Sequence, residues 1–174
     1  MDTDIEKILT AVPSVYMRTE EGYGLRPNIS IRGTAIERSA KVAIMEDGVL
    51  VAPSPYTSSA AYYFPTTGRI HSVEVLKGPA AVSQGPQTIG GAINLISTPI
   101  PNAPSGKFVQ ELGENGMMRT LAYYGGTSGN FGGLVEVHEH ESDGFDSIAN
   151  VGGDTGFDKS DLMVKARYES GAHS

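Results

Sequence analysis

The chain has 174 residues, no cysteine, 22 glycines and a formal net charge of −7. That length suits one domain, or one domain and part of another. The acid excess argues against a nucleic-acid partner, which would want a basic face, and the lack of cysteine excludes disulfide frameworks and thiolate metal sites. A hydrophobic content of 39% is a little low for a compact globular chain, and abundant glycine with few aromatics points to β-structure with many turns. No apolar run approaches the ~20 residues of a membrane-spanning helix. The N-terminus, MDTDIEK, is acidic and lacks the basic-then-apolar order of a signal peptide, so a secreted reading requires residues upstream of it.

Thr3 and Glu6 have capping-box spacing. Ile5, Ile8, Leu9 and Val12 fall at i, i+3, i+4 and i+7, which predicts a short helix closed by Pro13. NISIR at 28–32 predicts a strand ending at Gly33, and KVAIMEDGVLV at 41–51 a hairpin turning at Asp47-Gly48. Residues 52–68, rich in Pro, Ser, Thr and Tyr, read as an exposed loop. In VEVLKGPAAVSQGPQTIGGAINLIS at 73–97, two apolar runs flank a centre punctuated by Gly78, Pro79, Gly85, Pro86, Gly90 and Gly91. That order predicts strand, compact turn-helix-turn, strand. TPIPNAPSG at 98–106 holds three prolines in nine positions and is the best linker in the chain.

After the linker the texture changes. Residues 107–113, 116–125, 130–140 and 160–169 are β-like, several near the ~9–11 residues of a tilted transmembrane strand. TSGN at 127–130 is a short connection, and 142–159 a long polar one. Short turns at one end and long loops at the other are the pattern of an outer-membrane barrel. In FGGLVEVHEH, Phe131, Gly133, Val135 and Val137 share one face, and Gly132, Leu134, Glu136, His138 and His140 the other, with Leu134 the misfit. Arg119 shares its face with Leu121 and Tyr123, so either Arg119 lies above the apolar band or that face points inward.

IEKILTAVPSV, NISIRG, IMEDGVLV and the block 73–97, in this order and spacing, resemble the TonB-dependent outer-membrane receptors. VAPSPY and GPQTIGGAIN look most like the ferric dicitrate branch. The resemblance implies an α+β plug domain with a small mixed β-sheet over 1–104, truncated at its N-terminus. Antiparallel strands of an incomplete transmembrane β-barrel would follow over 105–174. It also implies uptake of a ferric siderophore or ferric citrate, driven by the energy-coupling protein TonB across the outer membrane, with no covalent chemistry and no cofactor. No TonB box is present, and a barrel of about 22 strands needs far more residues than follow Gly106. The expectation is a fragment of such a receptor that transports nothing by itself. The competing reading is a soluble Gly-rich β-domain acting as a binding or adhesion module, with ordinary antiparallel sheet in place of membrane strands.

The resemblance places Arg32 in SIRG and Lys77 in EVLKG where plug cations of the family meet barrel glutamates. Lys77 stands where Arg is usual and cannot make the planar two-pronged contact, so that lock would be looser. Glu74, on the strand face opposite Lys77, is a further plug–barrel contact or an internal plug partner. Family apical loops face the ligand, which makes Tyr56, Tyr62 and Tyr63 stacking candidates beside Phe64. Arg38 becomes a charge-assisted contact to an anionic chelate, against simple plug–barrel packing or solvent exposure. GPQTIG at 85–90 fits a phosphate loop only in part, since Gly91 and Ala92 replace the required Lys and Ser/Thr. His138 and His140 with Glu136 could hold a metal, yet a polar lumen face is the favoured reading. Asp143, Asp146, Asp154, Asp158 and Asp161 lack the spacing of a calcium loop. No Ser/His/Asp arrangement is present, and an enzyme ranks last.

Overall fold

The computed structural model describes residues 5–19, 25–51, 63–144 and 155–170. The chain divides into two compact units, residues 1–98 and 99–174.

In the first unit, helix α1 spans Ile5–Thr10 and buries Ile5 and Leu9. The Thr3 cap lies outside the described residues. Val12 N bonds Leu9 O at 3.0 Å and the chain turns through Ser14 at φ 65°. Strand β1, Val15–Thr19, then pairs antiparallel with β2, Pro27–Ile31, from Val15 opposite Ile31 to Thr19 opposite Pro27. The sequence reading missed β1. Its alternation is legible in hindsight, with Val15 buried, Met17 and Thr19 half-buried, and Tyr16 and Arg18 exposed.

The main sheet contains β3 (Val42–Glu46), β4 (Val49–Leu50), β5 (Ile70–Lys77) and β6 (Gly91–Ser97), in the order β4-β3-β6-β5. Strands β3 and β6 run parallel and the other pairs antiparallel, so the sheet is mixed. Both faces of its centre are buried, which explains the near-continuous apolar runs VAIM and AINLI. Val42, Ile44, Ile93 and Leu95 pack with Ile5, Leu9, Val15, Ile29, Ile31 and Phe64 on one face. Ala43, Met45 and Ala92 pack with Ala81 of the 3-10 helix Gly78–Gln84 on the other. Phe64 therefore departs from the exposed-loop expectation. It is 4% exposed, because an aromatic ring gains more from this core than from water.

Two glycine sites show why the block 73–97 is glycine-rich. Gly91 has φ 149°, and a Cβ there would lie 2.5 Å from Leu76 O and 3.0 Å from Ile31 Cδ1. A Cβ on Gly90 would lie 2.9 Å from Thr34 Oγ1 and 3.0 Å from Lys41 O. Three elements converge on this corner and leave no room for a side chain.

The second unit is an antiparallel meander of β7 (Ser105–Leu112), β8 (Met118–Ser128), β9 (Phe131–Ser142) and β10 (Phe157–Tyr168). Strands β9 and β10 run longer than the sequence suggested, because backbone pairing continues through polar residues. Phe157 pairs with Ser142 and Asp158 with Glu141, so the long connection shrinks to 143–156. Strands β8 and β9 turn tightly through Gly129 at φ 58°. Among the described residues no helix is long and apolar enough to cross a membrane, which says nothing of crossing by strands.

Candidate functional site

The parallel pair β3/β6 gives the first unit two distinct ends. At one end lie the starts of β3 and β6, the finish of β5, and the segments 32–41 and 78–90. Gly90 N bonds Lys41 O there at 2.8 Å. At the other end lie Glu46, the Asp47-Gly48 turn, Ser97 and the start of β5.

Arg32 and Lys77 belong to the first end, whereas Arg38 lies against the start of β2. Arg32 adopts φ 57°, and its Nη1 sits 3.2 Å from where a Gly78 Cβ would stand, so its guanidinium lies along the β5 corner beside Lys77. Lys77 Nζ donates to the carbonyl of Pro13, tying the end of β5 to the turn after α1. Arg38 is exposed at φ 52°, and its backbone N–H donates to Asn28 Oδ1. Glu74 accepts from Asn94 Nδ2 at 3.0 Å across the β5/β6 ladder; its partner inside the unit is an amide rather than Lys77.

Tyr63 belongs to the second end. Its hydroxyl accepts from Arg69 Nη2 at 3.0 Å while its side chain stays 43% exposed. Tyr56 and Tyr62 lie outside the described residues.

Sequence reasoning missed the polar cluster that holds Tyr63. The Arg69 guanidinium forks onto Glu46, through Nη1 to Oε1 and through Nη2 to Oε2 at 3.1 Å. The Arg69 side chain is 6% exposed and that of Glu46 20%. Next to them Asp47 Oδ1 accepts from Ser97 N at 3.0 Å, its Oδ2 accepts from the Ser97 hydroxyl, and Gly48 N donates to Asn94 Oδ1 at 2.9 Å. Asp47-Gly48 was legible as a turn; that its carboxylate also grips the last residue of β6 was not, because the two are 50 positions apart.

In the second unit the strand registers align one polar face. Glu111, Arg119, His140 and Lys159 stand in one cross-strand row, and Val109, Leu121, His138 and Asp161 in the next. Arg119 Nη1 bonds Glu111 Oε2 at 3.1 Å and its Nη2 lies 3.5 Å from His140 Nε2. This resolves the alternative posed for Arg119: its face is the one shared with the buried Glu136, His138 and His140. Leu134, the misfit, is 1% exposed and fills the space left by Gly125 opposite, where a Cβ would come within 2.9 Å of Leu134 Cδ1. The His138 and His140 rings meet edge-on at 6.3 Å, and the described residues gather no group of three or more His, Cys, Asp or Glu suited to a metal.

The opposite face carries Phe108, Tyr124, Phe131, Val135, Val137, Leu162, Val164 and Tyr168, all exposed. Phe131 and Tyr168 pack with ring centroids 4.8 Å apart at the tight-turn end.

Comparison with known proteins gives this architecture its family. Residues 1–92 match the TonB-dependent Receptor Plug Domain. The vitamin B12 transporter BtuB of Photobacterium profundum is 26% identical over 172 residues, which cover 97% of this chain and 28% of that protein. The crystal structure of the ferric yersiniabactin uptake receptor FyuA from Yersinia pestis superposes with a TM-score of 0.72 at 24% identity, over 92% of this chain and 25% of FyuA. The siderophore receptor PirA from Acinetobacter baumannii superposes with a TM-score of 0.68 at 20% identity, over 96% of this chain and 27% of PirA. The chain thus spans about a quarter of the length of these relatives. The two structures share its fold of a mixed-sheet plug followed by antiparallel strands, and among the described residues of this chain those strands close no barrel. With the family match covering more than half of its length, the chain belongs to the TonB-dependent receptor plug-domain family.

Proposed function

We propose that residues 1–104 are the plug, and 105–174 the first wall strands, of an outer-membrane receptor that takes up a ferric siderophore or ferric citrate. One observation carries the membrane assignment: β7–β10 expose apolar side chains on one face and bury Glu136, His138 and His140 on the other. A soluble binding module would leave that broad apolar face in water, where such patches drive association. A barrel wall turns it toward lipid and keeps the polar face for the lumen. The chain performs no covalent chemistry. In the intact receptor TonB pulls on the plug from the periplasmic side, and rearrangement of residues 1–98 opens the path for the ligand.

The iron assignment is supported by FyuA and PirA, whose names state ferric yersiniabactin and siderophore as their ligands. The ferric dicitrate branch rests on VAPSPY and GPQTIGGAIN alone. Exposed Arg38 is the charge offered to an anionic chelate. Cobalamin is the second reading, favoured by the likeness to BtuB along 97% of this chain. Uptake of labelled ferric citrate, a ferric siderophore and cobalamin by cells carrying the intact receptor decides between them. Arg38→Ala should weaken binding of the anionic ferric chelate about tenfold, the loss of one charge-assisted hydrogen bond. Uptake of cobalamin alone would overturn the iron assignment, and unchanged chelate affinity would remove Arg38 from the site.

A further inference from the structure

The proline-rich segment 98–106 reads in the sequence as a tether. The structure fastens it from both sides. Before the boundary between the units, Thr98 N and Oγ1 both donate to the Arg69 carbonyl, at 3.1 and 3.2 Å. After it, Thr127 Oγ1 donates to the Pro101 carbonyl at 2.9 Å, and Arg167 Nη2 donates to Thr127 Oγ1 at 3.5 Å. Ile100 Cγ2 lies 3.1 Å from where a Gly132 Cβ would stand, and the Pro104 backbone 2.9 Å from where a Gly126 Cβ would stand. The glycines at the tight-turn end of β8 and β9 therefore leave the room that the segment occupies.

We propose that residues 100–104 are a strap bound to the sheet of β7–β10, not a free tether. Thr98 and Ile100, on either side of Pro99, each make contacts within their own unit. Proline locks its own φ and keeps the residue before it extended, so the segment carries few soft torsions. This holds whichever ligand the receptor carries, and whether or not it transports one.

Backbone ¹⁵N relaxation on the 174-residue chain in detergent micelles tests it, read at the amides of Ile100, Asn102 and Ala103. A strap gives order parameters of about 0.85, as in the strands, whereas a tether gives values below about 0.6. The native chain alone decides: low values at all three amides overturn the proposal. Thr127→Val and Gly132→Val identify the fastening. Each should drop the three values toward the flexible range while the amides of β9 beyond Leu134 stay ordered. Values unmoved by both substitutions would overturn the role given to Thr127 and Gly132.

Discussion

Removing Arg69 should cost the first unit far more than its single position suggests. Arg69→Met keeps an apolar stem but leaves the Glu46 carboxylate, 20% exposed, without its guanidinium. Breaking a fully buried pair from one side costs about 3–5 kcal/mol. Water reaches part of Glu46, so about 2–3 kcal/mol is expected here. The double variant Arg69→Met/Glu46→Met removes the stranded charge as well and should recover much of that loss, since an apolar pair of similar volume often matches a buried ion pair. Native-state hydrogen exchange at the amides of Ile44 and Ile93, in the parallel ladder next to the cluster, reads the effect locally. Protection should fall about 30- to 150-fold in Arg69→Met and by much less in the double variant. Protection within about twofold of the native chain in Arg69→Met would show that solvent already screens the pair. Additive losses in the double variant would show that Arg69 and Glu46 act separately.

Two further outcomes follow from the same geometry. Gly91→Ala places a methyl group against Leu76 O and Ile31 Cδ1 at φ 149°, and should destabilise the first unit by more than about 2 kcal/mol, read as lost amide protection in β5 and β6. Val137→Arg puts a charge on the exposed apolar face and should cost about 2–4 kcal/mol of folding free energy in a bilayer. Met163→Arg, in the row of Glu136, should be tolerated. Denaturant titration of the intact receptor in lipid vesicles compares the two substitutions, and equal losses would sink the assignment of faces.

The legibility of the fold followed the range of the interactions. Helix α1, the β3/β4 hairpin and the strands flanking 78–90 are set by local periodicity and turn chemistry, and appear in the sequence close to where the structure has them. Strand β1 was overlooked because five alternating residues before a polar stretch are a weak signal without the partner β2. Phe64 was misplaced for a related reason. Its neighbours are loop-like in composition, and only the arrival of Ile5, Leu9 and Ile44 from elsewhere makes its position a core. At the candidate site, Arg32 and Lys77 were singled out by the family resemblance, and in the structure both adjoin Gly78 or its neighbours at a glycine-marked corner. The Glu46–Arg69 pair was not, because nothing local distinguishes a buried arginine from a solvated one.

The block 73–97 is recognisable for a mechanical reason. Its glycines are hemmed in by Leu76 O, Lys41 O, Thr34, Ile31 and Arg32, atoms contributed by three stretches of chain that must meet at one corner. A substitution there disturbs β5, β6 and the segment after β2 together. The exposed residues around the same corner are not constrained in this way. Arg38, Val82 and Ile89 project from the segments 34–41 and 78–90 without supporting the sheet, and Val82 and Ile89 are 69% and 74% exposed. One corner therefore couples β5, β6 and the segment after β2, so that a change at any of its glycines is felt by all three.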